Sequence, residues 1–339
     1  MSAGWVAGSV RARALARRRI GAEGARRLAA CGSLADALGM LAHTPYRIGE
    51  SRAGRPEGAP GAAGAPDTAG ARGDAGPLGA GGGPQRLLAA AQQAIAAALL
   101  WDLRVLAGWL PQGGAQLMRA LAGWFEIANV AERLAELSGR PAGDTFSLGA
   151  LATAWPQARR SASIEDLRAA LAASAWKDPG AQSAAGLELG MRARWAERVA
   201  VLGGPTRNWA ASAVAVLLAG ECLRTGQAPA PVPRQVARTL LGPRAAEAGT
   251  LGELASRLPE RLAWVLDPVA GPGDLWRAEA AWWARVEKDG HALLTGSGLD
   301  KGPVLGAVAV LAADARRARA ALEIAARGGA RIEVFDAVA

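Results

Sequence analysis

Between residues 304 and 325 the chain places apolar side chains at Val304, Val308, Leu311, Ala315, Ala318, Leu322 and Ala325, at steps of 4, 3, 4, 3, 4 and 3. Only a helix stacks residues three and four apart on one face; a strand would need alternation by two. The same spacing recurs through Leu88, Ile95, Leu99, Leu103, Leu106 and Leu110, ahead of Pro111, whose missing N–H closes that helix. Runs of β-branched residues are nearly absent. The spacing predicts an all-α fold. On the 304–325 helix, the side opposite the seam carries Arg316, Arg319, Glu323 and Arg327, which reads as a solvated face.

At 339 residues the chain is long enough for two or three folding units of about 100–200 residues each. Hydrophobic residues at 51% against charged residues at 20% exclude wholesale disorder. The apolar stretch from Leu87 to Trp101 contains Gln92 and Gln93 and falls short of the roughly 18–20 residues a bilayer span needs, so no transmembrane helix is expected. Cys31, Cys222, His43 and His291 lie far apart in sequence. They form none of the close pairs of a zinc site or a disulfide framework.

The formal charge of +9 comes almost wholly from arginine, because only Lys177, Lys288 and Lys301 are lysine. With abundant Ala and Gly, that bias reads first as codon composition and second as selection for bidentate phosphate binding. Arg11, Arg13, Arg17, Arg18, Arg19, Arg26 and Arg27 nevertheless cluster, with Glu23 the one acid in the first thirty-five residues. An organellar presequence, a nucleic-acid arm and a face for an acidic partner all fit. No long apolar core of a secretory signal precedes them.

From Glu50 to Gln85 the sequence is almost entirely Gly, Ala, Pro, Asp and Arg with Leu78 its one large apolar residue, which reads as a linker that builds no packed face. Around it, three segments share a hydroxyl residue, Leu or Ile, any residue, an acid, and then an apolar helix. They are Ser33-Leu34-Ala35-Asp36, Ser163-Ile164-Glu165-Asp166 and Thr250-Leu251-Gly252-Glu253. Each reads as a capping box, in which the hydroxyl accepts from a helix-start amide and the acid accepts from the cap's own amide. An aromatic follows each cap at nearly constant distance: Tyr46, Trp176 and Trp264. A longer helix precedes each capped one, near Val10, Ile127 and Asn208, with Asn129 and Asn208 as candidate N-caps.

The repeats predict three pseudo-repeated helical lobes joined by Gly/Pro segments. The first lobe is 1–49, the linker 50–85, the second lobe 86–190 and the third 191–270, with C-terminal helices at 271–339 completing the array.

Signatures of chemistry are sparse. No two Asp are adjacent, so there is no paired-Asp magnesium motif. Gly296-Ser297-Gly298 lacks the glycine two before the serine of a nucleophile elbow, and Gly298-Leu299-Asp300-Lys301-Gly302 lacks the spacing of a phosphate loop. His43 and His291 read as helix-end or surface histidines. The twelve tryptophans read as core and inter-helix anchors rather than base-stacking platforms. No catalytic, cofactor-binding or metal-ligating residue is assigned, and no cofactor is expected.

Taken in order, these motifs resemble the C-subunit family of V/A-type ATPases, whose eukaryotic vacuolar member is the d subunit. The resemblance rests on Val10-Arg11-Ala12-Arg13, the cap at Ser33, and Leu41-Ala42-His43-Thr44-Pro45-Tyr46 in the first lobe. It continues through Trp124-Phe125-Glu126-Ile127-Ala128-Asn129-Val130, Arg207-Asn208-Trp209, and Pro303 to Gly328, with Asp314 where the family usually has Glu. The 50–85 linker, the Gln227 to Arg244 stretch, which reads as a loop, and the scarcity of lysine and tyrosine depart from the pattern.

The resemblance implies three helical lobes forming a funnel-like array and a non-catalytic rotor adaptor. Such an adaptor seats the soluble central shaft on a membrane proteolipid ring at the cytoplasmic face, peripheral to the membrane, in proton transport. Its partners would be the ATPase central-shaft proteins and the ring, with contact to the membrane surface and no specific nucleic acid. Two other classes compete: a basic nucleic-acid-binding helical protein that uses the Arg11–Arg27 cluster, and a helical enzyme of unassigned type.

Overall fold

The computed structural model describes residues 3–46, 83–226, 229–329 and Phe335. Among these there is no strand, and the all-α expectation holds. The first helices are α1 (Ala3–Ala16), α2 (Gly21–Ala29) and α3 (Leu34–Ala42), followed by α4 (Pro84–Gly108). The middle of the chain supplies α5 (Gln112–Leu121), α6 (Gly123–Leu137), α7 (Trp155–Ala158), α8 (Ile164–Ala172) and α9 (Ala184–Ala200). Then come α10 (Pro205–Thr225), α11 (Pro231–Leu240), α12 (Pro243–Ala246), α13 (Leu251–Arg257) and α14 (Glu260–Ala263), and last the long pair α15 (Leu275–Thr295) and α16 (Lys301–Ala326).

Helix α16 is the organising element. It packs on α15, α1, α2, α3 and α4, and every residue of the seven-member seam from Val304 to Ala325 is buried. The solvated face expected opposite the seam needs correction. Arg317 is buried, Arg316, Arg319 and Glu323 are half-buried, and only Arg327 is exposed. With five helices around it, α16 leaves little of this face to water, so burial lowers the Arg316 and Arg319 pKa values from their usual range. Arg317 donates to Glu287 on α15, which balances the buried charge. Close approach of α15 and α16 is set by two glycines: a Cβ on Gly306 would lie 2.6 Å from the Gly290 carbonyl oxygen.

Helices α6 to α9 enclose a smaller core of Ile127, Leu134, Leu167, Leu171, Trp176 and Met191. Helix α9 also packs on α10 and α11 and so runs across the 190/191 division between second and third lobes. The 50–85 linker lies outside the described residues except at its end. There Pro84 and Gln85 already belong to α4, because proline's fixed φ suits the first helical position behind Gly83.

The 227–244 stretch is likewise not a loop throughout. Val232, Val236, Ala237 and Leu240 are buried along α11, whose Pro231 and Pro233 sit in the first turn, where no intrahelical N–H bond is lost. Helix α10 ends on Gly226 at φ 61°, a left-handed cap that glycine takes without a Cβ clash.

Candidate functional site

Between α6 and α7 the chain runs from 138 to 154 with only one short 3-10 turn, so its amides need acceptors from elsewhere. One face of α6 supplies them. Glu132 accepts from the Gly143 amide, Asn129 pairs both ways with the Phe146 backbone, and Glu126 accepts from the amides of Thr153, Ala154 and Trp155. Glu126 is buried, and its Oε2 also accepts the indole N–H of Trp176 at 3.0 Å. Arg198 on α9 lies 4.4 Å above the Trp176 ring and donates to the Thr153 hydroxyl. Burial lowers its pKa against the pull of Glu126.

The same wiring occurs a second time around Asp314 on α16. That carboxylate is 1% exposed and accepts from the amides of Ile20 and Gly21, at the start of α2, and from the Tyr46 hydroxyl at 2.8 Å. Ala154 and Trp155, at the start of α7, correspond to Ile20 and Gly21. In both units a short helix leads to a capped one, α3 behind Ser33 and α8 behind Ser163.

Both capped helices end alike. The Thr44 hydroxyl donates to the Leu41 carbonyl and accepts from the Tyr46 amide, and Ser174 does the same with Leu171 and Trp176. The two aromatic donors are thus aimed at their carboxylates by an identical backbone turn. The acid-bearing helix differs in origin: α6 adjoins its own unit, whereas α16 comes from the far end of the sequence.

Chemically these are multiply hydrogen-bonded anchors. A carboxylate offers about four acceptor sites, and Glu126 answers four donors while Asp314 answers three. Each sits at a helix N-terminus, where exposed amides and the helix dipole favour negative charge. The Tyr46 phenol is pushed well above its ordinary range, first by burial and then by the Asp314 charge beside it, so it stays a donor. Among the described residues no three His, Cys, Asp or Glu come together as metal ligands would.

Compared with protein-family models and with curated protein sequences, the chain has no match.

Ser33, Ser163 and Thr250 accept from the amides of Asp36, Asp166 and Glu253, as capping predicts. The reciprocal half of the box differs. Asp36 instead accepts from the Ser33 hydroxyl, and Glu253 reaches one residue further back to the Gly249 amide. The third unit departs from the other two, since Leu262 occupies the place of Thr44 and Ser174, and the Trp264 indole donates to the Arg261 carbonyl. Asn129 and Asn208 are not N-caps. α6 starts at Gly123 and α10 at Pro205 behind Gly204, which puts both asparagines inside helices.

His43 is the exposed C-cap of α3, and His291 lies in α15 with Nε2 3.8 Å from Glu287. Cys31 and Cys222 form no disulfide. Trp195, Trp209 and Trp282 donate to the Ala120 carbonyl, Asp289 and the Trp209 carbonyl, joining α9 to α5 and α10 to α15 as anchors do.

Within the arginine cluster, Arg13 is a latch: it donates to the carbonyls of Leu294, Gly296 and Gly298 and closes the α15–α16 turn. Arg27 pairs with Glu23. Arg17, Arg18 and Arg26 are exposed.

Glu126 and Asp314 were visible only as members of motifs. A signal was present: Leu41-x-x-Thr44-x-Tyr46 and Leu171-x-x-Ser174-x-Trp176 share a hydroxyl two before the aromatic, which marks a donor being aimed.

Proposed function

We propose that this chain is a non-catalytic adaptor of a V/A-type rotary ATPase, of the C-subunit kind, with three related helical lobes arranged as a funnel. In this reading it sits on the cytoplasmic face of the membrane, receives the central shaft and rests on the proteolipid ring, and ATP chemistry and proton passage belong to other components of the motor. The observation that carries the proposal is the recurrence of one wired unit, capped helix, aromatic donor and buried carboxylate, at Tyr46–Asp314 and Trp176–Glu126. Repetition of a unit whose polar groups are fully engaged suits a part that transmits torque through shape. Among the described residues no helix is long and apolar enough to cross a membrane, which is compatible with a peripheral seat.

The test is co-isolation. The tagged chain, purified from native membranes in mild detergent, should bring down the ATPase head, shaft and ring proteins in stable ratio. Its recovery without any of them, together with tight RNA or DNA binding at physiological salt through Arg17 and Arg18, would replace the proposal with the nucleic-acid reading.

A further inference from the structure

Beside the Glu126 node, α5, α8, α9 and the segment around Thr153 surround a cleft of about 640 Å³. Arg119 and Arg198 line it with the amides of Gln116 and Gln157, and no carboxylate lines it. A neighbouring cleft of about 340 Å³ shares Arg119, adds Arg104, and again has no carboxylate in its walls. The three arginines are held in place without charge neutralisation by direct pairing. Arg119 Nε donates to the Ala150 carbonyl, Arg104 to the Ser147 carbonyl and Arg198 to the Thr153 hydroxyl. Among the described residues none of them pairs with an acid, and the nearby Glu126 is engaged by an indole and backbone amides. Guanidiniums fixed by neutral acceptors and lining a cleft are complementary to carboxylates, which guanidinium binds two-pronged.

We propose that these two neighbouring clefts bind an acidic polypeptide segment of a partner protein, with Asp or Glu side chains meeting Arg104, Arg119 and Arg198. The arginines are distributed over the two clefts rather than gathered in one: Arg104 lines the smaller, Arg198 the larger and Arg119 both. That arrangement matches charges spaced along a chain better than a single phosphate. Alanines at 115, 150, 152 and 173 leave room for a backbone, and the two glutamine amides offer it both donor and acceptor. The proposal is independent of the rotor reading, because it is tested on the isolated chain.

The experiment is fluorescence anisotropy of the full-length protein with a labelled Glu/Asp-rich peptide of about twelve residues and its Gln/Asn counterpart. Inorganic phosphate, phosphatidylserine vesicles and a single-stranded oligonucleotide serve as competitors. Binding of the acidic peptide alone is expected, weakened about tenfold in Arg119→Gln and unchanged in Arg17→Gln/Arg18→Gln. Arg119→Gln is the deciding variant because that side chain's hydrogen bond is to one exposed carbonyl. Arg104→Gln, checked for unchanged circular dichroism, should weaken binding as well. No binding by the wild type, equal binding by both folded variants, or displacement of the peptide by phosphate, vesicles or oligonucleotide more readily than by unlabelled peptide would overturn the proposal.

Discussion

Trp176 and Glu126 meet at 3.0 Å across 50 residues of chain, and the indole that donates to the carboxylate carries the Arg198 guanidinium on its face. The pair therefore joins α6, the end of α8 and α9 through one ring. Trp176→Phe should keep most of the packing and lose a hydrogen bond to a charged group, costing about 1.5–3 kcal/mol. Glu126→Gln should cost more, about 3 kcal/mol or above, because an NH₂ then faces donors. Urea unfolding of both single variants and the double variant should give a coupling energy clearly above zero.

At the equivalent node, Tyr46→Phe should also destabilise by about 1.5–3 kcal/mol. The folded-state pKa of Tyr46 is raised, so its contribution is complete below the unfolded pKa of about 10 and is lost as pH rises beyond it. Wild-type melting temperature should fall above pH 10 more steeply than that of Tyr46→Phe. Parallel curves would show that the phenol is not held by Asp314.

The caps are a local test. Ser163→Ala and Thr250→Ala should each cost about 0.5–2 kcal/mol in chemical denaturation, with secondary structure unchanged by circular dichroism.

Asp178 makes a two-pronged pair with Arg168, both contacts at 2.7 Å, and with help from the Gly180 amide its pKa is held down at about 2. The group is depressed, so its contribution is present above the unfolded pKa near 3.9 and disappears between about pH 4 and pH 2. The pair is substantially exposed, which keeps its worth to the modest range of surface ion pairs. Asp178→Asn should narrow its stability gap to wild type across that window in low salt and show little gap in high salt.

Gly306→Val should be among the most damaging single changes, since even a Cβ there lies 2.6 Å from the Gly290 carbonyl oxygen and 3.0 Å from Leu293. Overpacking costs typically about 1–3 kcal/mol, and here backbone must move. Gly39→Ala, with open space around it, should be neutral or stabilising in the same thermal assay.

Helices were legible in the sequence wherever their cause is local. The Val304–Ala325 seam and the caps at Ser33, Ser163 and Thr250 need only three- and four-residue spacing and a hydroxyl at the right place. Helix α11 was hidden because Pro231 and Pro233 look like breakers until they are seen to occupy a first turn. Asn129 was misread because a capping amide and a buried amide that serves a neighbouring loop have the same sequence appearance. The carboxylate nodes were illegible for a different reason. Which acid answers Tyr46 depends on how helices 268 residues apart pack, and no local spacing encodes that.

Because Asp314 holds Ile20, Gly21 and Tyr46, helices α2 and α3 leave the ribosome well before the helix that fixes them. At about 5–20 residues per second, α1 to α3 emerge on the order of tens of seconds before α16 can cover them. Their apolar faces are open to chaperones during that interval, and a chain stalled before Asp314 leaves them without the partner that fixes their geometry. The geometry of the N-terminal helices is therefore completed only once Asp314 has been synthesised.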